Sequence, residues 1–64
     1  MFVKCFDNYA DAKQSVFEHV RYNKRHPGLH GVEYRIYRRN GRYEIWRYRR
    51  VSDLPNYLRE APVY

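Results

Sequence analysis

The chain of 64 residues has a single cysteine, Cys5, and therefore cannot form an internal disulfide. Small secreted domains usually carry several cysteines, so we expect a protein of the reducing cytoplasm. No apolar run approaches the roughly 20 residues that a membrane-spanning helix needs. The N-terminal MFVKCF is also too short for the apolar region of a signal peptide. We expect no membrane partner.

Residues that bind metals or form catalytic centres are scarce. The three histidines, His19, His26 and His30, do not have the spacing of zinc ligands, and Cys5 is the only thiol. Neither paired carboxylates nor a nucleophile with an adjacent base can be identified, and all three glycines fit turns. A small ribonuclease that uses histidine as general acid or base is the catalytic alternative. We predict no metal, no cofactor, no catalytic residue and no enzymatic activity.

Acidic residues are almost absent from one segment, residues 34–50, whose sequence is YRIYRRNGRYEIWRYRR. This segment holds seven arginines and one acid, Glu44. Cations and anions cancel in the rest of the chain, so the segment accounts for the whole formal net charge of +6. Positive charge concentrated in one element is typical of a surface that binds a polyanion.

The length allows one domain, residues 1–64. A domain of this size buries only about 60% of the surface that its unfolded chain exposes. Large aromatic side chains partly offset this limit, and the chain has eight Tyr, three Phe and one Trp. We therefore expect some of these rings to form the core.

The first half of the chain predicts a strand followed by a helix. Residues 2–6 are rich in aromatic and β-branched side chains and end at turn-forming residues. Alternation along this strand puts Val3 and Cys5 on one face. Asn8 is a suitable N-cap for a helix over residues 9–24, which ends before Pro27. The apolar stripe of that helix consists of Tyr9, Ala12, Val16 and Val20, widened by Phe17.

The arginine-rich segment predicts a β-hairpin. Asn40-Gly41 lies between alternating segments and favours a two-residue type I′ turn. That turn places Ile36 opposite Ile45 and gives the hairpin two different faces. The face expected in the core carries Val32, Tyr34, Ile36, Tyr43 and Ile45. The other face has no aliphatic residue and carries Glu33, Arg35, Tyr37, Arg39, Arg42, Glu44, Trp46, Tyr48 and Arg50.

The tail predicts one short helix with Asp53 as N-cap. The predicted fold is therefore α+β, with a three-stranded antiparallel sheet in the order β-α-β-β. One long helix covers one face of the sheet, and the short C-terminal helix follows. We expect the first strand to pair with the third. A first strand parallel to the second is the alternative.

Arginine and aromatic side chains on one exposed hairpin suit nucleic acid. The guanidinium group fits phosphate bidentately, and a stacked base gains about 1–3 kcal/mol on an aromatic ring. We predict a non-catalytic nucleic-acid-binding protein that makes about four to six phosphate contacts. If Phe2, Lys4 and Phe6 share the face of Trp46, the aromatic platform widens. The predicted site residues are Arg35, Tyr37, Arg38, Arg39, Arg42, Trp46, Arg47, Tyr48, Arg49 and Arg50.

Other uses of the same surface stay open. It could dock on an acidic protein surface, or its residues could only stabilise the hairpin, with the aromatic face covered by the tail or a second subunit. In size and element order the chain is similar to some small phage-encoded inhibitors, including certain anti-CRISPR proteins. That similarity implies an inhibitor of a defence protein or nucleoprotein, and no residue carries over. DNA or RNA, single or double strands, and a monomer or homodimer are all compatible with the sequence.

Overall fold

The computed structural model describes all 64 residues and has the predicted α+β architecture. Its strands and helices are β1 (Phe2–Phe6), α1 (Tyr9–Lys24), β2 (Glu33–Arg39), β3 (Arg42–Tyr48) and α2 (Asn56–Arg59). Single turns of 3₁₀ helix at Pro27–Leu29 and Val51–Asp53 connect them. Neither α-helix has the length and hydrophobicity that crossing a membrane requires.

The three strands form one antiparallel sheet in the order β1-β3-β2, which confirms that the first strand pairs with the third. The hairpin has the register predicted from Asn40-Gly41, with Ile36 opposite Ile45. Both turn residues have positive φ, 53° at Asn40 and 75° at Gly41, as a type I′ turn requires. The alternative in which β1 pairs in parallel with β2 is wrong, because β1 pairs antiparallel with β3.

Strand β1 contains an irregularity that changes which side chains share a face. Its register shifts between Phe2 and Lys4, so that Phe2 lies opposite Trp46 whereas Phe6 lies opposite Tyr43. A bulge interrupts the alternation of a strand, and it places Phe2 and Phe6 on opposite faces of the sheet. The expectation that Phe2, Lys4 and Phe6 share one face is wrong for this reason.

Helix α1 covers the face of the sheet that we call the inner face. Asn8 caps the helix, since its side-chain oxygen accepts a hydrogen bond from the backbone N–H of Asp11 at 2.9 Å. Ala12 is fully buried against Ile36 and Ile45. Five partly buried side chains pack around these three, namely Val3, Phe6, Val16, Tyr34 and Tyr43.

The buried stripe of α1 is rotated from the predicted one. Phe17 is 54% exposed and Val20 is 37% exposed, whereas Asn23 is buried. The side-chain amide of Asn23 donates to the Tyr34 hydroxyl at 3.0 Å, which satisfies a polar group inside the domain. This hydrogen bond offsets the cost of burying Asn23 in place of the apolar residues beside it.

The opposite, outer face of the sheet is covered in part by residues 51–64, here called the C-terminal segment. Leu54 and Leu58 of this segment are each 1% exposed, as is Tyr37 of the outer face. Tyr37 and Leu58 line one small cavity together with Ala61 and Pro62. The segment therefore supplies the aliphatic side chains that the outer face lacks.

The C-terminal segment ends at the free edge of the sheet. The backbone N–H of Tyr64 donates to the Ile36 carbonyl at 2.9 Å, and its ring contacts Tyr43 with 5.9 Å between ring centroids. Asp53, the predicted N-cap of the short helix, instead accepts hydrogen bonds from the backbone N–H groups of Arg50 and Arg49. The N-cap of α2 is Pro55, two residues after Asp53, so the prediction for Asp53 is wrong.

Candidate functional site

Most of the hairpin arginines have no acidic partner in the folded protein. The only two salt bridges join Arg39 to Glu44 at 3.5 Å and Arg42 to Asp7 at 3.0 Å. Both are exposed enough to be worth little, about 0–1 kcal/mol. The other five of the seven guanidinium groups lie farther than 4 Å from any carboxylate, so their charge is not neutralised within the molecule.

Arg35 lies on the outer face and contacts two tyrosines. Its Nε donates to the Tyr48 hydroxyl at 3.0 Å and its Nη1 to the Tyr37 hydroxyl at 3.4 Å. The guanidinium group lies 5.0 Å from the centroid of the Tyr48 ring. The hydrogen bonds to Tyr37 and Tyr48 hold the pKa of Arg35 above its ordinary value. Because both partners are neutral, these contacts orient the positive charge without cancelling it.

Tyr37 and Tyr48 are structural residues. Tyr37 is 1% exposed and Tyr48 is 9% exposed, so neither presents an aromatic face to solvent. Burial raises the pKa of Tyr48, and its hydrogen bonds to Arg35 and Glu33 act in opposite directions. The prediction that these two rings can stack on bases is wrong, because residues of the same chain cover them.

Two further arginines are tied to other parts of the chain. Arg39 donates to the Tyr57 hydroxyl at 3.1 Å and lies 4.8 Å from the centroid of that ring, which connects the hairpin to α2. Arg49 donates to the carbonyls of Gly28 at 2.8 Å and His30 at 3.1 Å. These bonds hold the loop of residues 25–31 against the base of the hairpin, where β2 begins and β3 ends.

The remaining arginines are the ones most free to meet a ligand. Arg38 is exposed near the turn, with the Tyr43 ring centroid 5.9 Å from its guanidinium carbon, and it also lines the cavity beside the C-terminal segment. Arg50 is exposed at the base of the hairpin. Arg47 is half-buried next to Met1, whose sulfur lies 3.7 Å from one of its nitrogens.

Trp46 is the one predicted stacking residue that the structure leaves partly open. It lies on the outer face of the central strand, outside the cavity lined by the C-terminal segment, and is half-buried. Phe2 packs edge-on against it, with 5.7 Å between ring centroids, and is itself 45% exposed. The indole N–H donates to Glu44 Oε1 at 3.1 Å. We call Phe2, Glu44 and Trp46 the Trp46 patch.

The sequence prediction missed two members of this patch. Phe2 was not distinguished from Phe6, because a bulge has no reliable signature in a single sequence. Glu44 had a visible signal, since it is the only acid of the arginine-rich segment and stands two residues before Trp46. That spacing puts both side chains on one face of a strand.

Six of the seven hairpin arginines fall into two groups at opposite ends of the hairpin, and of these Arg39 and Arg47 are half-buried. Arg38, Arg39 and Arg42 surround the turn, and Arg47, Arg49 and Arg50 surround the base. Helix α1 ends at the base as well and adds Lys24 and Arg25 there. The two ends of β3, Arg42 and Tyr48, are six residue steps apart, which is about 20 Å of extended strand. The Trp46 patch lies between the two groups.

No family model matches the chain, and neither the curated proteins nor the solved structures contain one with significant similarity to it. The function is therefore inferred from the arrangement of the chain's own residues.

Proposed function

We propose that this protein binds nucleic acid without catalysing a reaction on it, through the exposed cations of the β2–β3 hairpin. The observation that carries the proposal is the shortage of internal counter-charges. Seven arginines lie in the hairpin, and only Arg39 and Arg42 have a carboxylate within 4 Å. A guanidinium group without a carboxylate partner is available for phosphate, which it binds more strongly than it binds water.

The two groups of cations suit an extended anion better than a compact one. A phosphate backbone that runs along the outer face of the hairpin can contact Arg42 at the tip and Arg50 at the base, and Arg38 adds positive charge at the tip from the opposite face, where it is paired with Tyr43. The roughly 20 Å between these ends fits a few nucleotides, within the range of about 4–16 nucleotides that single-strand-binding folds cover. Such a ligand would cross the Trp46 patch on its way.

An unpaired strand is favoured over a duplex by the aromatic residues. Phe2 is exposed and Trp46 is half-buried on the same face as Arg35 and Arg42. A duplex keeps its bases stacked on one another, whereas an unpaired base can stack on a protein ring. We therefore propose single-stranded DNA or RNA as the ligand, with one stacking site at Trp46.

The test is the salt dependence of binding to a fluorescent single-stranded oligonucleotide. Each phosphate contact on a single strand contributes a slope of about −0.7 to a plot of log affinity against log salt. Four to six contacts predict a slope of about −3 to −4. In the double variant Arg42→Gln/Arg50→Gln we expect the slope to be less steep by about 1.4, since two contacts are lost.

A control variant removes one positive charge that lies outside the hairpin. Arg21→Gln, on the exposed side of α1, should leave the slope within about 0.3 of the wild-type value. The proposal would be abandoned if the wild-type protein did not bind at low salt. It would also fail if Arg21→Gln reduced the slope as much as loss of a single hairpin arginine. The first outcome would favour an acidic protein surface as partner.

A further inference from the structure

Glu44 has an unusual position for an acidic residue in a basic surface. It is the only carboxylate of the arginine-rich segment and lies on the outer face, two residues before Trp46. Its side chain is 20% exposed, so it is held by its neighbours and still reaches solvent. A residue that weakens the positive potential at the centre of the surface calls for a specific explanation.

The one hydrogen bond and the one salt bridge of the Glu44 side chain both involve the same oxygen. Oε1 accepts the indole N–H of Trp46 at 3.1 Å and lies 3.5 Å from Nη1 of Arg39. Oε2 makes no hydrogen bond within the protein. The two contacts fix the carboxylate at the edge of the indole ring and leave one strong acceptor without a partner.

A base that stacks on the indole would bring its own edge close to this free oxygen. The edge of an unpaired base is not used in pairing and can be read by side chains. A carboxylate accepts a hydrogen bond from the exocyclic amino group of cytosine. Thymine and uracil present a carbonyl oxygen at the same position, which a carboxylate repels.

We propose that Trp46 and Glu44 form a base-selective subsite that prefers bases with an exocyclic amino group to thymine or uracil. Trp46 provides the stacking surface, and Glu44 Oε2 accepts the amino hydrogen. The inference rests on the proposed function, because it concerns which bases the same site prefers. With this subsite, the protein would recognise the base at one position of the strand in addition to binding the phosphates electrostatically.

Oligo-dC and oligo-dT provide the comparison, because both are pyrimidines and differ at position 4, where cytosine has an amino group and thymine a carbonyl oxygen. They also differ at N3 and in the methyl group of thymine, and the Glu44→Gln variant separates those differences from the effect of the carboxylate. With oligomers of about 12 nucleotides at neutral pH, we expect the wild-type protein to bind dC about tenfold more tightly than dT, as one hydrogen bond to a charged acceptor predicts. The emission of Trp46, the only tryptophan, should change on binding of dC.

Glu44→Gln is the variant that tests the free oxygen. Glutamine keeps the shape and an acceptor for the indole N–H, but it loses the charge and can turn an NH₂ group towards the base. We expect the ratio of dC to dT affinity to fall from about tenfold to below about threefold. The affinities for dC and dT are measured at one salt concentration, since only their ratio is compared.

Asp7→Asn is the matched control. It removes the acid of the other salt bridge, raises the net charge by the same amount and lies near the hairpin turn, away from Trp46. We expect both affinities to rise and their ratio to stay at the wild-type value. Changes in charge and changes in base preference are separated in this way.

The outcomes distinguish this inference from the function on which it rests. Equal binding of dC and dT by the wild type overturns the subsite and leaves nucleic-acid binding intact. The subsite is also overturned, with nucleic-acid binding left intact, if Glu44→Gln does not change the ratio of dC to dT affinity. The same conclusion follows if the emission of Trp46 does not change at saturating dC. Failure to bind either oligomer at low salt overturns both proposals.

Discussion

The Tyr48 hydroxyl connects two oppositely charged residues on the outer face. It accepts a hydrogen bond from Arg35 Nε and donates one to Glu33 Oε2, both at 3.0 Å. The ring itself is buried below the guanidinium group of Arg35. A tyrosine in this setting must stay protonated, because a phenolate would be desolvated and would lie beside Glu33.

Alkaline pH should therefore destabilise the protein through Tyr48. Its folded-state pKa is raised above the ordinary value of 10.0, chiefly by burial. A raised pKa contributes stability that is present below pH 10 and is lost as the pH rises through the folded-state value. We expect the free energy of unfolding, measured with urea, to fall more steeply above pH 10 in the wild type than in Tyr48→Phe.

At neutral pH, Tyr48→Phe should be less stable than the wild type by about 1 kcal/mol, since it loses the hydrogen bonds of the hydroxyl. The two curves should then converge as the pH rises from 10. Parallel curves would show that Tyr48 does not titrate between the folded and unfolded states.

Single residues also show where prediction from the sequence stops. The burial of Tyr37 was foreseen only as the alternative in which the tail covers the aromatic face, because alternation assigned Tyr37 to a hairpin face without aliphatic residues. Leu58, about 20 positions later, supplies part of its cover. The position of Trp46 on the outer face, by contrast, followed directly from the register that Asn40-Gly41 fixed.

At the scale of elements, the C-terminal segment carries much of the outer-face packing. Leu54 and Leu58 are among the four largest fully buried side chains of the protein, and Tyr37 is another. The segment reaches the edge of β2 through a single backbone hydrogen bond, from Tyr64 to Ile36. Its attachment therefore depends mainly on apolar burial.

Leu58→Ala should reveal this dependence. Removing a buried leucine side chain typically costs about 2–5 kcal/mol, because apolar contacts are lost and a cavity remains. We expect a loss in that range in the free energy of unfolding, measured with urea. Val63→Ala, at a site that is 51% exposed in the same segment, should cost less than about 0.5 kcal/mol.

A small effect of Leu58→Ala would contradict this account. If it cost no more than Val63→Ala, the C-terminal segment would not be a structural element of the domain. Tyr37 would then be accessible in solution, and the surface available for base stacking would be larger than Trp46 and Phe2 alone.

Features that are set by neighbouring residues in the sequence were predicted well, and features that are set by contacts between separate elements were not. The bounds of β1 and α1 matched, since caps and turn residues lie within the segments they end. The rotation of α1 was missed because the hydrogen bond between Asn23 and Tyr34 joins separate elements. The bulge in β1 was missed because it exists only in relation to Trp46 and Ile45 of β3.

The whole molecule has a large excess of positive charge for its small volume. The domain measures 34 × 26 × 14 Å and has a formal net charge of +6. Only two salt bridges oppose the repulsion among its cations. Net charge far from zero keeps a protein soluble and destabilises its compact state. Stability and ligand binding are thus linked through the same arginines.

Thermal stability should therefore rise with salt. The Debye length falls from about 30 Å at 0.01 M to about 8 Å at 0.15 M, so added salt screens repulsion across a molecule of this size. If screening contributes about 1 kcal/mol, the Tm of the wild type should rise by about 4–8 °C over that range. Arg38→Gln should start from a higher Tm at low salt and rise less, while Asp7→Asn should start lower and rise more. A Tm that falls with salt would mean that the two salt bridges outweigh the repulsion, and the free positive charge on which binding depends would be smaller than the structure indicates.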